Sequence, residues 1–271
     1  MLVDDDLPLD EVGAWAKDKH DRLRKYVDIS RAARRKFIEG RGGATYIDLY
    51  CGRGRAIVRE TGETIDGSPL VAFKCATESG VPFSEIHIAD ADRDKCAVAA
   101  KRIANANGRA TTDVGPAEDT AARIVGRLNK YGLHFAFLDP FNLGDLPFSV
   151  IEAFSRLKRI DLLIHVSAQD LQRNLDAYSV SIDGPLDHFA PGWRSAVDLN
   201  QSRSATRAAY IAYWASKMEA LGLPPARRAE LVSGTTKNQR LYWLVFVSRS
   251  DFAKSLWDKI RNVSGQGELS L

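Results

Sequence analysis

Apolar and polar positions along this chain switch repeatedly between a helical period and the alternation that is typical of strands. Apolar residues at helical spacing over 23–38 predict an N-terminal helix, and the next apolar run predicts a first strand that ends near Tyr50. The segment 56–67 carries turn residues and predicts a loop or a short hairpin. The segment 68–78 predicts a helix with Ser68 as its N-cap.

The same alternation between helical spacing and strand-like spacing of apolar residues continues to the end of the chain. It predicts strands at 84–89, 111–114, 133–138, 161–167 and 240–248, and helices at 94–106, 117–128, 148–157, 206–222 and 251–263. Strands that alternate with helices at these intervals predict an α/β fold with a doubly wound, mostly parallel sheet.

The stretch 170–200 interrupts this order, because it is rich in Asp, Gly, Pro and aromatic residues. It predicts loops or short helices, and a long irregular stretch inside a compact domain is commonly functional. The sequence therefore predicts a single domain over 1–271, with an inserted cap at 170–205 as a substrate-binding or partner-binding region.

Composition is that of an ordinary globular protein. Of 271 residues, 45% are hydrophobic and 27% are charged, and no apolar run is long enough to cross a bilayer. The acidic start lacks the pattern of a secretory signal, which favours a cytoplasmic protein. Three cysteines without a C-x-x-C pair and five scattered histidines predict neither a disulfide framework nor a metal site.

Net charge is only mildly positive, at +3, so it permits contact with nucleic acid without requiring it. The basic residues are densest over 17–41, on the predicted N-terminal helix. They form either the solvated face of an amphipathic helix or a patch that contacts phosphates.

A glycine turn follows the first predicted strand, in the sequence YIDLYCGRG. Glycine lets the backbone approach a nucleotide-like ligand closely, although an ordinary turn without a ligand is the alternative. A dinucleotide turn needs a third glycine, and Ile57 stands at that position. S-adenosylmethionine needs only the D-x-x-x-G-x-G spacing, which Asp48, Gly52 and Gly54 supply, and we therefore favour it as the cofactor.

Two other predicted strands end in acidic residues. Asp90 ends the second strand, where an acidic side chain can hydrogen-bond a ribose diol, and Asp92 or Asp94 caps the next helix. The strand LHFAFL ends in Asp139-Pro140-Phe141. Either this tripeptide serves a site at the carboxyl edge of the sheet, or Pro140 ends the strand and Phe141 fills the core.

These segments together resemble one known family. The positions that carry the resemblance are Lys19-His20, YIDLYCGRG, GSPL, FLDPF, IDLLIHVSAQDLQRN and LYWLVFVS, which span nearly the whole chain. They resemble the three-Cys-motif partner proteins, within the class I S-adenosylmethionine-dependent methyltransferases. The resemblance implies a Rossmann-like methyltransferase fold, S-adenosylmethionine as cofactor, and a three-Cys-motif protein as a possible partner.

The resemblance also implies roles for individual residues. Around the methionine part of the cofactor it places Asp48, Tyr50, Cys51, Gly52 and Gly54. It assigns Asp90 to the ribose, and Ala91 and Glu118 to the adenine. One departure is Pro116, which stands where related enzymes often have an Asp that contacts the adenine amino group.

Asp139-Pro140-Phe141 also resembles the D-P-P-Y element of enzymes that methylate exocyclic nucleobase amines, and the D-P-F-G of tRNA guanine-N2 methyltransferases. A base amine is a weak nucleophile, because its lone pair is delocalised into the ring. Asp139 and the Pro140 carbonyl would accept its hydrogens, and Phe141 would stack on a flipped base.

Several further residues have two interpretations. Arg173 and Asn174 contact substrate or belong to a cap salt bridge, and Lys19 and His20 line the pocket mouth or form a solvated helix start. Cys51 is interpreted as a packing residue, since no base lies beside it in the sequence.

The leading hypothesis is a methyltransferase that acts without a metal on a nucleobase amine of RNA or DNA, with Asp139 orienting the amine. One alternative is a methyltransferase-like protein that has lost transfer and binds its partner. The other keeps transfer and moves the acceptor to a small molecule or a protein.

Overall fold

A computed structural model of the chain describes residues 5–226, 228–233, 240–261 and 268–270. In chain order the elements are β1 (Asp10–Val12), α1 (Trp15–Ile29), α2 (Arg31–Glu39), β2 (Ala44–Asp48), β3 (Arg55–Val58), β4 (Thr64–Asp66), α3 (Ser68–Glu78), β5 (Glu85–Asp90), α4 (Arg93–Asn105), β6 (Thr111–Val114), α5 (Ala117–Arg127), β7 (Leu133–Leu138), α6 (Phe148–Ser155), β8 (Ile160–Val166), α7 (Ala168–Val180), α8 (Pro185–Phe189), α9 (Arg203–Ala220), β9 (Arg228–Ser233), β10 (Arg240–Ser248), α10 (Asp251–Arg261) and β11 (Glu268–Ser270). Two 3₁₀ turns lie at Leu143–Asp145 and Trp193–Ser195.

The main sheet has eight strands in the order β11-β9-β10-β8-β7-β2-β5-β6. Strands β6, β5, β2, β7 and β8 pair in parallel, whereas β10 runs antiparallel to both of its neighbours. The predicted doubly wound, mostly parallel α/β fold is confirmed. Because Asp48 pairs with Ile88 and Phe137, the residues that follow these three strands meet at one carboxyl edge.

Helices cover both faces of the sheet, and its central strands are therefore buried on both sides. Along β2, Tyr46 packs into one core with α1, α3, α4 and α10, and Ile47 packs into the other with α5, α6, α7 and α9. Each residue of β8 is buried. A continuous apolar run is what a parallel strand between two helical layers requires.

A smaller sheet of β1, β3 and β4 lies beside the glycine turn. Strands β3 and β4 form the hairpin predicted as one option for 56–67, and β1 adds to it in parallel. Three residues of β1 are too few for a periodic signal. Ion pairs of Asp5 with Arg55 and Arg102 attach this N-terminal segment to the domain.

Three predicted elements differ from the structure. The single helix predicted over 23–38 is two helices that join at Ser30, which has φ −81° and ψ 0°. Ser68 is not the N-cap of α3: Gly67 occupies that position, and Ser68 is the first helical residue. The predicted helix 251–263 ends at Arg261, and 262–263 lie outside the described residues.

The stretch predicted as irregular begins with a regular helix, α7. Ser167 caps it by accepting a hydrogen bond from the Asp170 amide, and Leu171 and Leu175 bury one face. Farther along, Phe189 stacks on Trp214 with ring centroids 4.7 Å apart. The high content of aromatic residues in this stretch is therefore partly a signal of core packing, not of an open loop.

Most of the basic residues of α1 have acidic partners. Lys17 pairs with Glu63, Arg22 with Asp18, and Lys25 with Asp21. Because these cations already have acidic partners, the pairs disfavour a patch that contacts phosphates. Lys19 and Arg22 are buried, so this face of α1 is not fully solvated either. Within the described ranges, no helix has the length and apolar character needed to span a membrane.

Candidate active site

A cavity of about 900 Å³ opens at the carboxyl edge of the main sheet. Residues from distant parts of the sequence share its lining, and those predicted as site residues are Lys19, Tyr50, Gly52, Asp90, Ala91, Glu118, Asp139, Pro140, Phe141, Arg173 and Asn174. Four other predicted site residues, Asp48, Cys51, Gly54 and His20, lie outside the lining. The tertiary structure thus brings most of the candidates to one place.

The glycine turn bends beneath the N-terminal segment. Gly52 has φ +54° and Gly54 has φ +76°, in a backbone region that residues with a side chain rarely adopt. A Cβ on Gly52 would lie 2.6 Å from Asp10 Oδ2, and one on Gly54 would lie 3.3 Å from Ala99 Cα. The turn therefore needs glycine for its backbone conformation and for close packing against protein atoms. Gly52 also faces the cavity.

Asp10 fixes this turn from above. Its Oδ2 accepts a hydrogen bond from the Arg53 amide at 2.6 Å, and its Oδ1 pairs with the Arg53 guanidinium at 2.7 Å. The next residues, Glu11 to Gly13, line the cavity. Sequence reasoning missed this segment. The only signal in the sequence was that the segment is acidic and the glycine turn contains arginines, which are possible ion-pair partners.

Asp48 also holds this turn, through a hydrogen bond to its backbone. It is fully buried and accepts hydrogen bonds from the Tyr46 hydroxyl and the Tyr50 amide, each at 3.1 Å. Burial raises its pKa to about 7, although a hydrogen bond from Ser68 favours the ionised form. Its observed contacts hold the backbone of the turn.

Asp90 joins two strand ends at the cavity wall. Its Oδ2 accepts from the Gly52 amide at 3.1 Å, and its Oδ1 accepts from the Asp92 amide at 3.0 Å. A carboxylate has about four lone-pair positions, so capacity for hydroxyl donors remains. Asp92 caps α4, as one of the two predicted options had it.

Beyond Asp90 the lining becomes less polar. Ala91, Pro116 and Ala117 lie there, together with Glu118 in the first turn of α5. Pro116, the departure from related enzymes, is the N-cap residue of α5 and supplies no side-chain acceptor. Glu118 is the carboxylate that α5 brings to this end of the cavity.

Asp139 lies in the same cavity within a charged cluster. Its Oδ2 forms an ion pair with Lys19, whose side chain is only 5% exposed. His165 Nδ1 lies 3.5 Å from Asp139 Oδ1. Burial opposes ionisation of Asp139, but Lys19 and His165 outweigh this, and the pKa of Asp139 is lowered. Lys19 is therefore buried and paired, unlike a solvated helix start.

His165 is a cavity residue that sequence reasoning missed. Burial lowers its pKa to about 4, so the ring is neutral at neutral pH. The ring stacks on Trp15 and lies 4.6 Å from the ring of Tyr242, and all three side chains line the cavity. In the sequence, His165 resembles any residue of a buried strand. Its position beside Asp139 follows from the pairing of Leu138 with Ile164.

Phe141 is 91% exposed at the cavity. The alternative in which this ring fills the core is therefore wrong. The loop that carries it is held in place, because the Leu143 amide donates to Asp170 Oδ2 at 3.0 Å and Asn142 caps the following 3₁₀ turn. An exposed aromatic ring on an anchored loop is available for stacking.

The remaining candidates differ in their surroundings. Asn174 donates to Asp170 Oδ1 at 2.7 Å, whereas Arg173 makes no ion pair with any residue in the part of the chain that the structure describes. His20 lies outside the lining, and burial lowers its pKa to about 4. Cys51 is buried with its Sγ 3.9 Å from Cys96 Sγ.

Among the described residues, no group of three or more His, Cys, Asp or Glu side chains is arranged to hold a metal ion.

No protein-family model matches this sequence, and no curated protein matches it significantly. Protein LPL1258 from Legionella pneumophila is similar in structure, with a TM-score of 0.52, 9% identity, and coverage of 92% of this chain and 95% of that one. This likeness agrees with the predicted Rossmann-like architecture.

Two methyltransferases of known structure align less closely. The N-methyltransferase NodS from Bradyrhizobium japonicum, in complex with S-adenosyl-L-homocysteine, has a TM-score of 0.45 and 9% identity over 88% of this chain and 89% of its own. The O-methyltransferase from Bacillus cereus has a TM-score of 0.47 and 14% identity over 89% and 84%, respectively.

Proposed function

We propose that this protein is an S-adenosylmethionine-dependent methyltransferase that acts on the exocyclic amine of a nucleobase in RNA or DNA. One observation carries the proposal. Asp139 and Pro140 line the same cavity as Gly52 and Asp90, and the ring of Phe141 stands exposed beside them. A cofactor site and an amine-binding tripeptide thus share one space.

The residues present fit the cofactor. Asp90 has lone pairs left for ribose hydroxyls, Ala91 and Pro116 offer apolar surface to an adenine, and Tyr50 and Gly52 line the same cavity. When bound, S-adenosylmethionine supplies an electrophilic methyl group. Asp48 and Asp10 act indirectly, because they hold the turn between them.

Asp139 would act on the acceptor. Its lowered pKa keeps it ionised, so it can accept a hydrogen bond from a base amine. The Pro140 carbonyl would accept the second hydrogen, which directs the nitrogen lone pair away from the ring. Phe141 would stack on the base once it leaves its helix.

The resemblance to the three-Cys-motif partner proteins extends this proposal to a three-Cys-motif protein as partner. The sequence pattern described above adds a cytoplasmic location to the proposal. A protein that binds its partner without transfer, and a methyltransferase of small molecules or proteins, are the competing outcomes of the tests below.

Calorimetry with S-adenosylmethionine and S-adenosylhomocysteine tests the cofactor site. We expect binding by the wild type and an affinity loss of roughly 10-fold or more in Asp90→Ala, since hydrogen bonds to a charged group are worth about 1.5–3 kcal/mol. Asp94→Ala is the matched control, because Asp94 is exposed and lies outside the lining. Absence of binding by the wild type would refute both enzyme hypotheses.

Transfer of a labelled methyl group to total RNA, DNA and protein then separates the acceptors. Label in nucleic acid supports the proposal, and label only in protein or small molecules contradicts it. Cofactor binding with no transfer to any acceptor would favour the non-catalytic alternative.

A further inference from the structure

The inner wall of the cavity combines three aromatic rings with one charged pair. Trp15, His165 and Tyr242 contact one another through their rings, and Lys19 and Asp139 stand beside them. All five side chains line the cavity. Aromatic walls of this kind favour a planar acceptor.

Lys19 is held rigidly in this wall. Its ammonium pairs with Asp139 and lies 4.8 Å from the centre of the Trp15 ring, and its side chain is almost fully buried. An ammonium has three N–H donors and no acceptor, and Asp139 Oδ2 occupies only one of them. The position of Lys19 therefore presents donors to the cavity.

Asp139 presents the opposite character next to it. Lys19 bonds Oδ2, whereas Oδ1 makes no hydrogen bond among the described residues and lies 3.5 Å from His165 Nδ1. Oδ1 can therefore accept a hydrogen from a ligand. The wall offers a donor and an acceptor side by side, at the spacing of one ion pair.

We infer that Lys19 determines which nucleobase is methylated, and that the acceptor is an amine next to an unprotonated ring nitrogen on the Watson–Crick edge of the base. This inference rests on the proposed function. Adenine has such an edge in its exocyclic amine and N1, and cytosine has one in its amine and N3. The amine donates to Asp139, and the ring nitrogen accepts from Lys19.

Guanine does not fit the same wall. On the Watson–Crick edge of guanine the ring nitrogen beside the amine, N1, carries a hydrogen, so this edge would place a donor against the donors of Lys19. The unprotonated nitrogen on the other side of the amine, N3, lies on the sugar-bearing side of the base. The ammonium would keep its ion pair with Asp139 but would face a donor of the ligand, and a site built for a hydrogen bond rejects a ligand that cannot make it. Thymine and uracil have no exocyclic amine to accept a methyl group.

The test uses the full chain with labelled S-adenosylmethionine and single-stranded oligonucleotides. Each is a thymidine or uridine strand with one central adenine, cytosine or guanine. We expect transfer to adenine or cytosine to exceed transfer to guanine by about 10-fold or more, because one good pair of base contacts discriminates by about 1–3 kcal/mol.

Lys19→Gln tests the residue itself. A glutamine amide can donate to Asp139 and offer its carbonyl to the ring N–H of guanine, so the preference against guanine should fall by about 10-fold. Lys19→Arg retains donors and should retain the preference. Lys17→Gln is the matched control on the same helix, since Lys17 pairs with Glu63 outside the cavity.

The possible failures are distinguishable. If the wild type methylates guanine as well as adenine or cytosine, the inference is wrong and the proposed function stands. If Lys19→Gln binds the cofactor normally and keeps the wild-type preference, Lys19 does not set it. If cofactor binds and no oligonucleotide is methylated, the proposed function fails, and the inference fails with it.

Discussion

The two edges of the main sheet each carry a cavity with one aspartate, buried Asp161 and half-buried Asp139, and the two aspartates are held differently. Asp161, in the amino-edge cavity of about 580 Å³, accepts hydrogen bonds from Tyr26 at 2.8 Å and Ser248 at 2.5 Å. Asp139, at the carboxyl edge, pairs with Lys19 and keeps one oxygen without a hydrogen bond among the described residues. Both side chains lie at the end of a buried strand.

The difference separates a structural carboxylate from a candidate catalytic one. Burial raises the pKa of Asp161, and its two neutral hydroxyl donors occupy both oxygens. The pKa of Asp139 is lowered by a cation in spite of burial, so its charge persists where an acceptor can reach it. Buried polar groups are usually fully bonded, and an incompletely bonded one in a cavity is informative.

The largest expected contrast is in methyl transfer. We expect Asp139→Asn to lower the rate by roughly 100-fold or more, because a misplaced or neutral acceptor no longer orients the amine. Asp161→Asn should leave the transfer rate unchanged. The measurement is single-turnover transfer at saturating cofactor, and equal rates for the two variants would remove the contrast.

His165 and Asp161 should contribute to the pH dependence of stability with opposite signs. The pKa of His165 is about 4 in the folded protein, so the unfolded chain binds more protons between about pH 4 and 6.5, and stability falls as the pH drops through this window. In His165→Gln the decrease in the free energy of unfolding over this pH window should be smaller by on the order of 1–3 kcal/mol. The part of the decrease that His20 causes should remain.

At the amino edge the raised pKa of Asp161 has the opposite effect, because the folded state then binds more protons and stability falls as the pH rises above the unfolded value. Asp161→Asn should remove that trend. Denaturant titrations from pH 4 to 8 measure both variants, and a shared sign would contradict the comparison.

Phe141 and Phe252, one exposed ring at each cavity, should also behave differently. Phe141→Ala should raise KM for the nucleic acid by about 10-fold, since base–aromatic stacking is worth about 1–3 kcal/mol. The ring is exposed, so the free energy of unfolding should change by less than about 0.5 kcal/mol. Phe252→Ala is the control, because that exposed ring lines the amino-edge cavity. An equal rise in KM for both variants would show that Phe141 has no specific role in binding the nucleic acid.

The smallest effect is expected at Tyr26. Tyr26→Phe removes the hydroxyl that donates to Asp161, which should lower the free energy of unfolding by about 1–2 kcal/mol. Methyl transfer should not change. Thermal or denaturant unfolding with a parallel transfer assay decides this, and loss of transfer at unchanged stability would show that the two edges are coupled.

Local patterns were sufficient to predict the fold class and the edge at which the chemistry lies. The mostly apolar runs of β7 and β8 predict buried parallel strands, and the local pattern alone places Asp90 and Asp139 at strand ends. For 170–200 the pattern predicts loops or short helices, and the 13-residue length of α7 was not predicted, because its polar exposed face and its Ser167 cap resemble the start of a loop in composition.

The members of the Asp139 cluster could not be predicted together. Lys19 lies 120 positions from Asp139 in the sequence, and Trp15 and Tyr242 belong to opposite ends of the chain. No local period connects them. They meet because α1 packs on α3 and α10 on one face of the sheet, and because β10 inserts between β8 and β9.

The sequence by itself determined the alternation of strands and helices, the glycine turn and the acidic strand ends, because each depends on residues close together in the chain. Only the tertiary structure decided that Phe141 is exposed, that Lys19 is buried against Asp139, and that His165 shares their cavity. Exposure, charge pairing and proton affinity depend on which distant segments pack against a residue, and strand order sets that.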